Sequence, residues 1–229
     1  MRFIASVVVT IVLSSFAVAG DVSGKVSFGG KAPAMPRLRM DADRFCRSVH
    51  RQPVSSEEVV VNKNGTLKNV LVYVKEGLTG KKFDSPKEKA LFDQEGCVYI
   101  PHVLGVQTGQ EVVIQNSDNT LHNVHTLSTK NPSFNAGQPI KGHKLAKKFE
   151  KPETFKVKCD VHSWMGAYIG VFSHPFFAVT NDDGSFAIKG LPAGEYTLEA
   201  WHEKYGTQTL KVSVGASDKK SVEFKYSGS

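Results

Sequence analysis

From residue 20 onward the apolar positions recur every second residue. Val22, Gly24, Val26 and Phe28 alternate with polar residues, the period of a strand with one buried face. Val59 to Val61 and Val70 to Val74 are β-branched runs either side of Asn64-Gly65, a strong hairpin signal. Val98 to Val106 and Glu111 to Gln115 predict another strand pair, joined through Thr108-Gly109-Gln110. Phe155 to Lys158, Tyr168 to Phe172, Ser185 to Ile188, Tyr196 to Trp201, Leu210 to Val214 and Val222 to Phe224 predict further strands. Single helical turns are predicted around Asp41 to Val49 and Pro86 to Phe92. Short strands punctuated by Gly, Pro, Asn and Asp predict an all-β fold of antiparallel sandwiches.

The first residues do not share this pattern. Residues 1–19, MRFIASVVVTIVLSSFAVA, carry a basic Arg2, an apolar run and the small-x-small site Ala17-Val18-Ala19. This predicts a secretory signal peptide, with the mature chain starting near Gly20 or Asp21. The apolar run is short for an uncleaved anchor. No other stretch approaches a membrane span, so no stable span is expected after cleavage. The expected location is periplasmic or secreted, where disulfides persist.

Composition is that of an ordinary globular protein. Of 229 residues, 40% are hydrophobic and 22% charged, which excludes a disordered tail, a collagen-like rod or a coiled coil. The net charge of +7 suits an anionic partner or surface. Lys141, Lys144, Lys147, Lys148, Lys151, Lys156 and Lys158 crowd one stretch, offset by Glu150 and Glu153. They read either as a solvated surface or as a docking face for an acidic protein redox partner. No aromatic interleaving suggests a nucleic-acid partner. Asn64-Gly65-Thr66 is a formal glycosylation sequon better explained as a turn, and Trp201-His202-Glu203 reads as a core Trp flanked by polar groups, with His202 a candidate surface ligand.

Residues 179–198 read strand, Asp-Gly turn, strand, Pro-x-Gly turn, strand. Asp182-Asp183-Gly184-Ser185-Phe186 followed by Leu191-Pro192-Ala193-Gly194-Glu195-Tyr196-Thr197-Leu198 resembles the repeat of carboxypeptidase regulatory-like (transthyretin-type) domains over about residues 176–226. Such domains usually open with a G-K-V strand, and Gly24-Lys25-Val26 matches that. The expected organisation is therefore an N-terminal β segment at 20–96, a second domain at 97–172 and a carboxypeptidase regulatory-like sandwich at 173–229. Either the domains follow in series, or the first strands belong to the C-terminal sandwich and the middle domain is inserted.

One constellation carries chemistry. Cys159-Asp160-Val161-His162-Ser163-Trp164-Met165 is C-x₂-H-x₂-M, and upstream lies Asn116-Ser117-Asp118-Asn119-Thr120-Leu121-His122-Asn123-Val124. Two imidazoles and a thiolate in a plane, with a weak axial thioether, form a copper electron-transfer site, and His122, Cys159, His162 and Met165 supply that set. Zinc suits a thioether poorly. At these motifs the chain resembles the cupredoxins, the type 1 blue copper proteins of the plastocyanin and amicyanin kind, over about residues 97–172. The resemblance implies a Greek-key β-sandwich holding one type 1 copper per chain. It also implies that Asn123 tethers the ligand loop and that His162 is a partly exposed ligand through which electrons leave. The loop lacks the prolines usual in that family. His125 lies three residues from His122, on the opposite strand face, so only one of them can reach the loop, and the His-Asn-Val match selects His122.

If Cys159 is a metal thiolate, Cys46 and Cys97 remain. They pair as a disulfide, or join His50 and His102 in a Cys₂His₂ metal site, or stay free. The leading functional expectation is a one-electron carrier between protein partners, not an enzyme. The chain has no H-x-H pair for a trinuclear copper cluster, no second Cys in the loop and no hydrolytic motif. A copper-handling or interaction module is the alternative.

Overall fold

The computed structural model describes residues 19–228; the expected signal peptide lies outside them, apart from Ala19. In chain order the elements are β1 (Ala19–Gly29), α1 (Arg44–Val49), β2 (Leu71–Glu76), β3 (Ala90–Glu95), β4 (Val98–Ile100), β5 (Val103–Gln107), β6 (Glu111–Asn116), β7 (His122–Thr126) and β8 (Asn135–Gln138). They continue with β9 (Lys144–Lys148), β10 (Glu153–Lys158), β11 (Gly166–Phe172), β12 (Phe177–Val179), β13 (Ser185–Pro192), β14 (Gly194–His202), β15 (Gly206–Val214) and β16 (Lys219–Ser227). The fold is all-β.

These strands form four sheets, ordered β13-β1-β16, β12-β2-β14-β15, β5-β11-β10-β7-β8 and β4-β3-β6-β9. The first two enclose one core, in which Val22 and Val26 of β1 and Val72 and Val74 of β2 meet Ile188, Leu198, Val214 and Phe224. The other two enclose a second core around Phe92, Tyr99, Ile114, Val124, Val157 and Ile169. Along the middle of the chain, successive strands cross repeatedly from one of these sheets to the other, as in a Greek-key sandwich.

The two units are nested rather than serial. β1 pairs with β13 and, in parallel, with β16, and β2 pairs with β12 and β14. The middle unit starts at β3, ahead of residue 97, because β3 lies parallel to β6. Three pairings, β1 with β16, β3 with β6 and β5 with β11, are parallel, which an all-antiparallel reading missed. Each joins strands separated by long crossovers, as parallel pairing requires.

Local expectations divide along the same line. The Asn-Gly turn forms, with Gly65 at φ +77°, but its upstream arm contributes a single bridge, Val61 to Leu67. Residues 98–106 divide into β4, which shares a sheet with β6 but is separated from it by β3, and β5, which joins the other sheet, so neither pairs with 111–115. The helical turn at Asp41 to Val49 appears as α1, whose N-cap Asp43 accepts from Cys46 N. That at Pro86 to Phe92 is absent, because its end belongs to β3.

A third cluster joins the units, with Leu71, Val103 and Phe172 buried among Tyr73, Tyr168, Phe177 and Trp201. A Cβ on Gly170 would lie 2.7 Å from Leu71 Cδ1, and one on Gly105 would lie 2.8 Å from Phe177 Cδ2. Both glycines therefore permit the close approach of the sandwiches. His102 of the middle unit also pairs with Glu203 of the other.

His202 is not a surface residue. It is 1% exposed, packed against Tyr205 at 4.9 Å, and its Nδ1 accepts from Lys204 N at 3.1 Å. Burial, reinforced by the nearby His102, lowers its pKa to about 4. An ordinary histidine in the unfolded chain titrates near ~6.5, so the folded state favours the neutral ring. This contribution is complete above about pH 6.5 and is lost as the pH falls toward about 4, by roughly 3 kcal/mol. Denaturant unfolding of His202→Gln between pH 7 and 4 should show a correspondingly flatter pH dependence than wild type. An equally steep profile would contradict this.

Candidate metal centre

The ligand candidates come from two neighbouring places. His122 opens β7, and β7 pairs with β10 through Thr126 to Val157 and His125 to Lys158. The loop after β10 therefore begins beside β7. Met165 N donates to His162 O at 2.9 Å and Cys159 N to Met165 O at 3.2 Å, folding the loop back on itself. His122, Cys159, His162 and Met165 are all buried, none more than 3% exposed.

Nδ1 of His122 and Nδ1 of His162 lie 2.9 Å apart, and Cys159 Sγ lies 3.9 Å from His162 Nδ1. Donor atoms of these three residues fall within 4.8 Å of one another. Behind each ring stands a carboxylate. Asp118 Oδ2 accepts from His122 Nε2 at 2.9 Å and from Cys97 N at 2.7 Å, while its Oδ1 accepts from Gly96 N. Asp43 Oδ2 accepts from His162 Nε2 at 3.3 Å and from Thr120 Oγ1 at 3.0 Å.

Burial pushes both carboxyl groups up, but these hydrogen bonds outweigh it and hold them below their ordinary range. Ionised carboxylates only accept, so the network assigns a proton to each Nε2 and leaves a lone pair on each Nδ1. Two lone pairs facing across 2.9 Å repel unless a cation lies between them. A proton serves in the metal-free protein. Burial pulls His122 down, yet Asp118 and Cys159 more than offset it and its pKa is raised. That of His162 is lowered by burial and by the charge on His122, against Asp43. For Cys159, burial raises the thiol, but His122 and the backbone N–H groups of Asn123, His162 and Val161 hold it below its ordinary value. The converging donors of His122, Cys159 and His162 therefore fit a metal that accepts imidazole and thiolate together, as copper does, and the buried Met165 lies on the same loop.

Asn123 ties the loop to β7. Its Oδ1 accepts from Cys159 Sγ at 3.2 Å, Asp160 N at 2.7 Å and Val161 N at 3.3 Å, and its Nδ2 donates to Asn135 Oδ1 at 2.6 Å. His125 points the other way, at 29% side-chain exposure, and pairs with Asp160.

Cys46 and Cys97 form a disulfide, so the Cys₂His₂ arrangement does not occur. His50 instead donates from Nε2 to Gly96 O, and His102 is taken up by Glu203. The expected partial exposure of His162 is also overturned, since the ring is 2% exposed. Asp43 and Cys46 of the α1 segment cover its Nε2 edge, Cys46 Sγ at 3.7 Å, and Trp164 packs at 4.8 Å between ring centroids. Trp164 is itself held by its Nε1 donating to Cys97 O at 3.0 Å. The lysine run is split, with Lys144, Lys147 and Lys148 on β9 in one sheet and Lys156 and Lys158 on β10 in another.

Sequence reasoning missed the two carboxylates. Asp118 stood in plain view four residues before His122, a spacing that lets it reach the ring from the preceding turn. Asp43 carried no metal signal, because it reaches the site only through the fold.

Residues 165–227 match the family model of the carboxypeptidase regulatory-like domain. The match begins at the end of the Cys159–Met165 loop and covers β11 to β16, while β1 and β2, which pair with strands of the matched region, lie outside it. No curated protein matches the chain. Among solved structures, the chain is similar to a purple cupredoxin from Nitrosopumilus maritimus, at 22% identity and TM-score 0.32, over 36% of this chain and 98% of that one. It is similar to a Cu-containing nitrite reductase from Thermus scotoductus at 21% identity and TM-score 0.35, over 43% of this chain and 25% of that one. It is also similar to the P96G mutant of amicyanin at 18% identity and TM-score 0.34, over 44% of this chain and 97% of that one. At these scores the likenesses bear no weight, and any reading of the site rests on its own donor atoms.

Asp118→Asn removes the ionised acceptor that fixes the His122 tautomer. The variant should bind Cu(II) about 10–100-fold more weakly in a competitive chelator titration. An unchanged affinity would show that Asp118 does not orient the ring.

Proposed function

We propose that the chain is a mononuclear type 1 copper protein that carries one electron at a time between protein partners in the periplasm. The observation that carries this reading is the convergence of two imidazole Nδ1 atoms and the Cys159 sulfur at a buried point on one loop and one strand end. Bound copper supplies one-electron chemistry, because soft thiolate and thioether donors favour Cu(I) while imidazoles retain Cu(II).

The residues around the point favour a carrier. Asp118 and Asp43 hold the two rings by their outer nitrogens, and Asn123 Oδ1 holds the loop backbone through Asp160 N and Val161 N, so little rearrangement accompanies a change of charge. His122, Cys159, His162 and Met165 together offer four protein donors, leaving no obvious open position for a substrate. One copper per chain follows from one such donor set.

The setting agrees with export. The Cys46–Cys97 disulfide suits an oxidising compartment, and among the described residues no helix is long and apolar enough to cross a membrane. A copper-handling role, in which the metal is cargo, remains the alternative reading, and redox cycling separates the two.

The deciding experiment is an absorption and EPR spectrum of the protein with one equivalent of Cu(II). An intense thiolate-to-copper band with a narrow copper hyperfine splitting is expected, retained through repeated reduction and reoxidation. A colourless protein would overturn the reading, and loss of metal on each reduction would favour cargo. Two substitutions assign the ligands. Cys159→Ser should abolish the band while leaving the fold. Met165→Leu should keep the colour and raise the reduction potential, since a weak axial donor is lost; an unchanged potential would remove Met165 from the ligand set.

A further inference from the structure

Outside the leader the chain has five arginines, and all of them lie between Arg37 and Arg51. Every other strong base in residues 19–228 is a lysine. Arg37, Arg39, Arg44, Arg47 and Arg51 are exposed, and among the described residues none takes part in a salt bridge. Several lysines, by contrast, are neutralised within the chain, as Lys158 is by Asp160.

Four of the arginines act at one place. Arg37, Arg39, Arg47 and Arg51 line a groove of about 420 Å³ together with His50, and Asp41 is the sole acidic side chain on its wall. Cys46 lines the same groove, and Cys46 Sγ is the atom 3.7 Å from His162 Nε2. The strongest unpaired positive charge on the α1 segment thus lies against the residue that covers a metal ligand.

Guanidinium groups present planar forks that grip carboxylates in pairs, where a lysine offers a single point charge. Like charges on one groove wall repel one another, and among the described residues no salt bridge neutralises them. We propose that the arginine groove is the docking surface for an acidic segment of a protein redox partner, rich in Asp and Glu, which it seats over His162. That the partner is a redox protein rests on the copper-carrier reading; the grip on carboxylates does not. The lysine strands β9 and β10 are then ordinary solvated surface.

The test uses the copper-loaded mature chain and a fluorescein-labelled hexaglutamate peptide, read by fluorescence anisotropy at low and high ionic strength. Binding should be measurable at low salt and lost at high salt. Combining Arg37→Gln, Arg39→Gln, Arg47→Gln and Arg51→Gln should weaken it by about tenfold or more. The combined control Lys144→Gln, Lys148→Gln and Lys151→Gln should leave it within about twofold of wild type. The reduced copper protein should also react about tenfold more slowly with hexacyanoferrate(III), an anionic oxidant, in the arginine variant alone. All substituted arginines are exposed, and an unchanged circular dichroism spectrum checks the fold.

Equal losses in the lysine control, or no loss in the arginine variant, would overturn the proposal. So would binding to phosphatidylglycerol vesicles without binding to the peptide, which would make the groove a membrane contact. If the protein grips the peptide through the arginines but never holds copper, the carrier reading falls while the acidic-partner surface stands.

Discussion

Two histidine nitrogens that face each other across 2.9 Å set the terms for this molecule. Their lone pairs are aimed inward because each ring is held from outside by an ionised carboxylate, Asp118 for His122 and Asp43 for His162. The repulsion between them must be met by a cation, and the sulfur of Cys159 lowers its energy further. Much of the middle unit serves that geometry. β7 places one ring, the β10–β11 loop places the other with the sulfur, and Asn123 joins the two. The Asp118 carboxylate is fixed in turn by backbone N–H groups at Gly96 and Cys97.

The second carboxylate explains why the N-terminal segment crosses to the middle unit. Asp43 caps α1 and reaches His162 in one position, so the short helix and the outer ring are oriented together. The disulfide from Cys46 to Cys97 holds that segment to the turn before β4, beside the same backbone that binds Asp118. Burial of His162 follows. An outlet by direct exposure of this ring, as the cupredoxin resemblance implied, is closed, and contact with the site from this side runs over the α1 segment.

Much of this was legible in the sequence, and the illegible parts share a cause. The loop ligands were readable because they follow one another at three-residue intervals, and His122 because its neighbours form a motif. The paired C-terminal strands were readable because Asp-Gly and Pro-x-Gly turns mark their ends. Asp43, the cover over His162 and the parallel pairings were not, because each depends on contacts between residues far apart in the chain. The failed pairing of residues 98–106 with 111–115 shows the same limit. Alternation identified extended backbone on both sides of Gly109, but it does not say which sheet a strand joins. His202 was misplaced because a polar residue in a strand reads as exposed unless its aromatic neighbours, Tyr205 and Tyr226, are known to close over it.

The nested topology also sets an order of events. β1 has β13 and β16 as its neighbours, and Ser23 Oγ meets Lys220 O across 197 positions. A growing chain releases β1 first, yet its sheet is completed only when β16 emerges. By then β3 to β11 are all present, so the middle unit can close while both strands that precede it still wait for partners. The sandwich is then assembled around a unit already in place. A chain halted before β16 leaves β1 with one edge unpaired, a template for pairing with another chain, so the last strand to appear is the one that closes off that edge.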